Sequence, residues 1–178
     1  MRVTHQIEIS PTLVVLDGQT IAVEAVGDAM LVELYRRYVC DYPKFFKMDT
    51  LSRLGFVAAE ILLKETKVDA VILANRSASI KNDNDYLATI SEGRYYPSPA
   101  LFVYTLPNIV TGEIAIRHHI QGETSFYVLD KPEDLDPIIR ATMSNDLQSS
   151  NLQTVLAGWV ECSEPNRFYA KLQIIWNN

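Results

Sequence analysis

Seven residues in the middle of the chain, Val68–Ala74 (VDAVILA), most limit what it can fold into. Apart from Asp69 the run is apolar; it is short for a buried helix and lacks the alternation of a half-solvated strand. A strand of this kind is covered on both faces, as in the middle of a parallel sheet flanked by helices. The preceding segment supplies such a helix. Asp49 or Thr50 caps Leu51–Glu65, in which Leu54, Val57, Ala58, Ile61 and Leu62 recur at helical spacing. The polar stretch Asn75–Asp85 follows the strand. In open α/β sheets ligands sit beyond the carboxyl ends of strands, so Asn75, Arg76, Ser77 and Ser79 are candidate binding residues on geometry alone. The alternative is a solvated loop that caps the next helix.

Strand and helix patterns alternate on either side. Gln6–Ile9 and Thr12–Leu16 read as short strands, and Asp17-Gly18 as a turn before the β-like Thr20–Val26, so the chain opens on an antiparallel hairpin. Asp28 is placed to cap Asp28–Val39, whose Met30, Leu31, Leu34, Tyr35, Tyr38 and Val39 share one helical face. Pro43 predicts an extended break before Phe45-Phe46. Asp85–Ile90 predicts a short helix, and so does Pro132–Met143, with Pro132 in its first turn and a break at Pro137. Leu152–Val160 reads as a second buried strand. Phe168–Trp176 is a third, with Phe168, Ala170, Leu172 and Ile174 on one face. Strands alternating with helices make the chain α/β.

A chain of 178 residues with 48% hydrophobic content can bury one sizeable core, so one domain over residues 1–178 is expected. Sixteen basic against 22 acidic residues give a net charge of −6, which argues against a general affinity for nucleic acid or anionic membrane. The opening MRVTHQIEIS has no apolar signal core and no run approaches a bilayer span, so a cytoplasmic protein is expected. Cys40 and Cys162 lie far apart in apolar contexts and are expected to be buried free thiols. No metal-ligand spacing occurs, and no cofactor is expected.

The most patterned stretch is Ser98–Lys131 (SPALFVYTLPNIVTGEIAIRHHIQGETSFYVLDK). Leu101, Phe102, Leu106, Ile109, Val110, Ile114, Ala115 and Ile116 recur mostly at three- and four-residue steps after Pro99. Pro107 predicts a kink near Leu106, and Ser125–Leu129 predicts a strand. Gly112, inside the helix, predicts close approach by another backbone. The spacing Ser98-Pro99, Phe102, Asn108, Gly112 and Gly122, followed by a buried-looking strand, resembles the N-terminal half of the β-ketoacyl synthases, the thiolase-like condensing enzymes. The Met48-Asp49 helix start, Ala58-Ala59 and the Gly158-Trp159-Val160-Glu161 ending extend the resemblance over roughly Met48–Glu161.

The resemblance implies a thiolase-like half, layered α-β-α, with a mixed sheet of about five strands plus the N-terminal hairpin. It also places the family's nucleophilic cysteine on Lys131, its corner proline on Glu123 and a small residue on His119. The catalytic histidine pair or histidine and asparagine of the family come from a C-terminal half that does not follow Glu161. The chain is therefore expected not to condense acyl thioesters by itself. On the same footing Asn108, His119 and Lys131 join Asn75, Arg76 and Ser77 as binding candidates. Ser125, Phe126, Tyr127, Val128 and Leu129 form an edge strand that pairs across a two-fold axis. The implied partners are a second copy or an intact ketosynthase, and an acyl carrier protein.

The residues leave an enzymatic alternative open, a small acyltransferase or thioester hydrolase acting on carrier-bound or coenzyme A thioesters. Its nucleophile would have to be Cys40, Cys162 or Lys131. Cys40 ends a helix pattern, however, and Glu161 would raise the pKa of Cys162. His118 and His119 point about 100° apart on a helix and sit where cations complement its C-terminus.

Overall fold

The computed structural model describes residues 1–91, 94–144 and 152–177. The chain opens with β1 (Arg2–Ser10), β2 (Leu13–Leu16) and β3 (Gln19–Ile21), paired antiparallel in sequence. Asp17 and Gly18 both take positive φ, 49° and 80°, the pair of values that a two-residue hairpin turn requires. Thr20–Val26 leaves the sheet after Ile21, because the Glu33 carboxylate accepts the amides of Glu24 and Ala25 at 3.0 and 2.8 Å.

Glu33 belongs to α1 (Asp28–Tyr38). Its N-cap is Gly27 at φ 60°, not Asp28, whose amide donates to Asn166 Oδ1 at 2.9 Å. A side chain at Gly27 would collide with that asparagine. Pro43 opens a 3₁₀ turn, Pro43–Lys47, and the expected extended break shrinks to Tyr42 alone. The turn seats Phe45 on Tyr35 with ring centroids 4.3 Å apart. Asp49 caps α2 (Thr50–Leu62) by accepting the Ser52 amide at 3.0 Å. α2 ends three residues before Glu65 and is buried along almost its whole length.

β4 (Ala70–Asn75) is buried at every residue, as its composition requires. Next come α3 (Ile80–Leu87) and a two-stranded hairpin of β5 (Ile90–Ser91) and β6 (Arg94–Tyr95), where a helix over Asp85–Ile90 was expected. The helix starts early because Ser79 Oγ bonds Asp83 and the Thr105 carbonyl at 3.0 and 2.6 Å. Pro107 breaks the following helix instead of kinking it, leaving α4 (Pro99–Val103) and α5 (Ile109–His118). Val110 and Ile114 enter the core, whereas Phe102, Leu106 and Ile116 are exposed. A Cβ at Gly112 would meet nothing, so the expected close approach by another backbone is absent there; it occurs at Gly122, against the Asp69 carbonyl, while Gly55 makes room for the Val110 side chain.

β7 (Thr124–Val128) leads through the turn Pro132–Asp134 into α6 (Leu135–Met143). Pro137 lies in the first turn of α6, where no backbone donor is required of it. β8 (Thr154–Glu164) and β9 (Arg167–Trp176) form a long final hairpin. All but β5 and β6 join one mixed sheet in the order β3-β2-β1-β9-β8-β4-β7, in which β4 pairs parallel with β7 and β8. It has seven strands, not about five, because β1 pairs with β9 and builds the hairpin into the sheet.

The strand alternation sorts the core into two layers. Val71, Leu73, Leu156, Val160, Phe168, Ala170, Leu172 and Ile174 face α1, α2 and α5. Ala70, Ile72, Ala74, Val155, Ala157 and Trp159 face α6. The architecture is the expected α-β-α stack.

Candidate functional site

The carboxyl ends of β4, β7 and β8 lie side by side, and the sequence candidates divide on whether they reach them. Asn75 does, but its amide is engaged within its own loop: Nδ2 donates to the Ala78 carbonyl at 2.8 Å, and Oδ1 accepts the Ala78 amide at 2.9 Å. It holds Ala78 at φ 47°, a conformation that needs such support. The Arg76 amide donates to Glu161 Oε2 at 2.9 Å, tying β4 to β8, while its side chain is exposed. Ser77 is half-buried beside it.

Lys131 is exposed, with extended backbone just before the turn into α6. The position that the resemblance gives to a nucleophile is thus on the surface. Asn108 is an exposed N-cap of α5 whose side chain makes no cap; its carbonyl accepts the Thr111 hydroxyl at 2.8 Å. α5 runs back against β4 and β7, so His119 ends up at the opposite, amino edge of the sheet, three residues before Gly122 meets Asp69. It is the left-handed C-cap of α5, φ 55°, and stands apart from Asn75 and Lys131.

The two thiols, both expected to be buried and free, differ from each other: Cys162 is as expected and Cys40 is not. Cys40 is exposed at φ 66°, where α1 ends, and not buried. Cys162 is 2% exposed. Burial pushes its pKa to about 12, partly opposed by Lys81 and assisted by Asp49, Asp28 and Glu161. Cys162 does not meet the requirement for a nucleophilic thiolate in a cationic, accessible setting. Among the described residues no cluster of three or more histidines, cysteines or carboxylates is placed to hold a metal ion.

A charged network between α2 and α5 was missed in the sequence. Buried Glu60 accepts Arg117 Nε at 3.3 Å, and its other oxygen lies 2.6 Å from His118 Nε2 at angles poor for a hydrogen bond. Arg117 also reaches Asp41 at 2.5 Å, and Tyr42 donates to Glu113 at 2.9 Å, with Lys44 on the same carboxylate. Glu60 and Glu113 sit within otherwise apolar helices, the one signal that could have found them. The network is a structural brace, and it accounts for His118 without general base chemistry.

Among the described residues β7 pairs on one side alone, with β4, and forms one edge of the sheet, with β3 at the other. The Val71 amide donates to the Glu123 carbonyl at 2.9 Å and the Leu129 amide to the Asn75 carbonyl at 2.8 Å. Residues 123, 125, 127 and 129 therefore point their backbone groups at β4. Those of Thr124, Phe126 and Val128 point outward, and the Val128 side chain is 56% exposed. Ser125–Leu129 thus lies on an edge, as the resemblance implied.

A mixed sheet layered between helices in this order has the thiolase-like fold, and this chain shares it with ketosynthase-type proteins. The similar solved structures include a ketosynthase in complex with its chain length factor from Xenorhabdus doucetiae, with a TM-score of 0.67 at 13% identity, over 99% of this chain and 79% of that one. Another is the ishigamide ketosynthase/chain length factor, with a TM-score of 0.65 at 16% identity, over 98% of this chain and 61% of that one. The second match therefore spans less than two thirds of its counterpart. No protein-family profile and no curated protein matches the sequence.

Proposed function

We propose that this chain is a ketosynthase-like accessory subunit of a polyketide- or fatty-acid-type pathway, which pairs with an intact ketosynthase and does not itself condense acyl thioesters. The observation that carries this reading is the bare edge of β7. An uncharged edge strand invites pairing with another chain, and a partner strand would satisfy the outward groups of Thr124, Phe126 and Val128. The resemblance supplies the partner, and the similar structures, complexes of ketosynthase with chain length factor, support it. In isolation a second copy takes the same place in an isologous dimer. An acyl carrier protein is the further partner in this reading, and the cytoplasm its setting. No helix among the described residues is long and apolar enough to cross a membrane.

The test is co-expression with an intact ketosynthase from the same genome, followed by native mass spectrometry. A one-to-one complex is expected, lost on Val128→Pro; two proteins that elute separately would overturn the reading. The competing acyltransferase or hydrolase reading predicts a covalent intermediate. Incubation with an acyl thioester is expected to leave the mass unchanged. A stable adduct on Cys162 or Lys131, with turnover lost in the alanine variant, would replace the accessory reading by the enzymatic one.

A further inference from the structure

On the α6 side of the sheet the strand register sets side chains in rows. Trp159 of β8 lies opposite Lys171 of β9, which on its other flank lies opposite Glu8 of β1. α6 packs Leu135, Ile139 and Met143 onto this face, and beside it a cavity of about 410 Å³ remains between the helix and β9. That volume is within the range of small-molecule sites, about 300–1,000 Å³. Leu135, Ile139, Ala157 and Trp159 give the cavity an apolar floor, and the half-buried Tyr169 closes one side. Its charged groups are Glu133 and Asp136 on the helix wall and Lys171 on the strand wall.

The two signs of charge line one cavity without meeting. Among the described residues neither Glu133 nor Asp136 has a cation within salt-bridge reach, and Lys171 has no carboxylate, although Glu8 is its neighbour across the strand pair. All three charged groups are open to solvent. Glu133 in the turn that enters α6 and Asp136 in its first turn both sit at the positive end of the helix dipole, which favours their ionised form. A ligand of one sign would therefore gain on one wall and lose on the other: a phosphate or fatty acid meets Glu133 and Asp136, and a polyamine meets Lys171. A molecule that carries an ammonium and a carboxylate on the same carbon atom suits both walls, and its side chain falls on the apolar floor.

We propose that the cavity between α6 and β9 binds a free α-amino acid with a large apolar side chain, its ammonium held by Glu133 and Asp136, its carboxylate by Lys171, and its side chain laid on Leu135, Ile139 and Trp159. Charge-assisted hydrogen bonds of both signs fix the orientation of the ligand, and the apolar floor selects its side chain. No residue of β7 lines the cavity, so this assignment goes beyond the accessory role and does not depend on strand pairing.

The probe is L-phenylalanine, titrated into the full chain and followed by proton–nitrogen NMR at the Trp159 indole and the Lys171 amide. Saturating shifts with a Kd on the order of 1 mM are expected, as so small a ligand in an open cavity allows. N-acetyl-L-phenylalanine lacks the ammonium, L-phenylalaninamide lacks the charged carboxylate and glycine lacks the side chain; each should bind about ten-fold more weakly or worse. Lys171→Met and Asp136→Asn should each weaken L-phenylalanine about ten-fold, and Val128→Pro should not. Both cavity substitutions are at exposed positions and should leave the circular dichroism spectrum unchanged, while the comparison of ligands on the wild type needs no variant. Shifts that fail to saturate at about ten times the expected Kd would overturn the proposal, as would full binding by Lys171→Met. Equal binding of the acetyl or amide derivative would also overturn it, and would make the cavity a seat for a peptide terminus of one charge.

Discussion

Cys162 shows how far one buried side chain can decide chemistry. With its pKa near 12 against an ordinary 9.0, the thiol stays neutral throughout the physiological range. Iodoacetamide at pH 8 should modify native protein once, at exposed Cys40, and unfolded protein twice, as mass spectrometry would show; prompt double labelling of the native state would contradict the burial. The same shift makes folding sensitive to base. The unfolded thiol ionises near pH 9 and the folded one only near 12, so the unfolded state sheds the proton first and stability falls across that window. Tyr42 and Tyr169, both raised to about 12 mainly by burial, act in the same direction from pH 10 upward. The urea midpoint should therefore drop above pH 9, and less steeply in Cys162→Ala. Glycines offer a second contrast at this scale. Gly122→Ala forces a Cβ into the Asp69 carbonyl and should destabilise by about 1–3 kcal/mol, whereas Gly112→Ala enters open space and should stabilise by up to about 1 kcal/mol. Equal urea midpoints for the two would remove the close approach from β7's entry.

Among the elements, β7 invites the sharpest experiment, because alternate residues serve different neighbours. Val128→Pro deletes an outward amide and leaves the ladder to β4 intact, while Tyr127→Pro removes a donor that faces β4. The first should give a folded monomer by light scattering and the second a destabilised chain. A Val128→Pro protein that stays dimeric would exclude this edge from the interface. Elements whose signal is local were legible in the sequence: β4 from its uninterrupted burial, β9 from Phe168, Ala170, Leu172 and Ile174 at every second position, α2 from its cap. The edge position of β7 came from the resemblance. Elements decided by distant partners were not legible. Ser79 begins α3 early because Thr105 lies across from it, Glu33 ends β3 from the next helix, and Phe102 and Leu106 carry a helical apolar spacing yet face outward. The site suffered most from this, since Asn75 is a polar residue at a strand end whose amide closes its own loop, and His119 was placed by counting from Gly122 without knowing which end of α5 it marks.

For the whole molecule the sheet order sets two edges far apart. The β7 edge offers main-chain groups and an apolar strand, and β3 bounds the opposite end of the sheet. The order also sets a schedule for assembly. β9 lies between the opening hairpin and the parallel strands, pairing Arg2 with Trp176 on one side and Thr154 with Trp176 on the other. Until that last strand is synthesised, the hairpin and the β8-β4-β7 block are two unconnected sheets, each with an extra bare edge. At about 5–20 residues per second a nascent chain carries the β1 edge open for on the order of ten seconds. Such long-range closure slows folding and exposes intermediates to aggregation. A stop codon just before Arg167 should therefore yield insoluble protein, not a smaller working subunit, and the demand on chaperones should be greatest during synthesis.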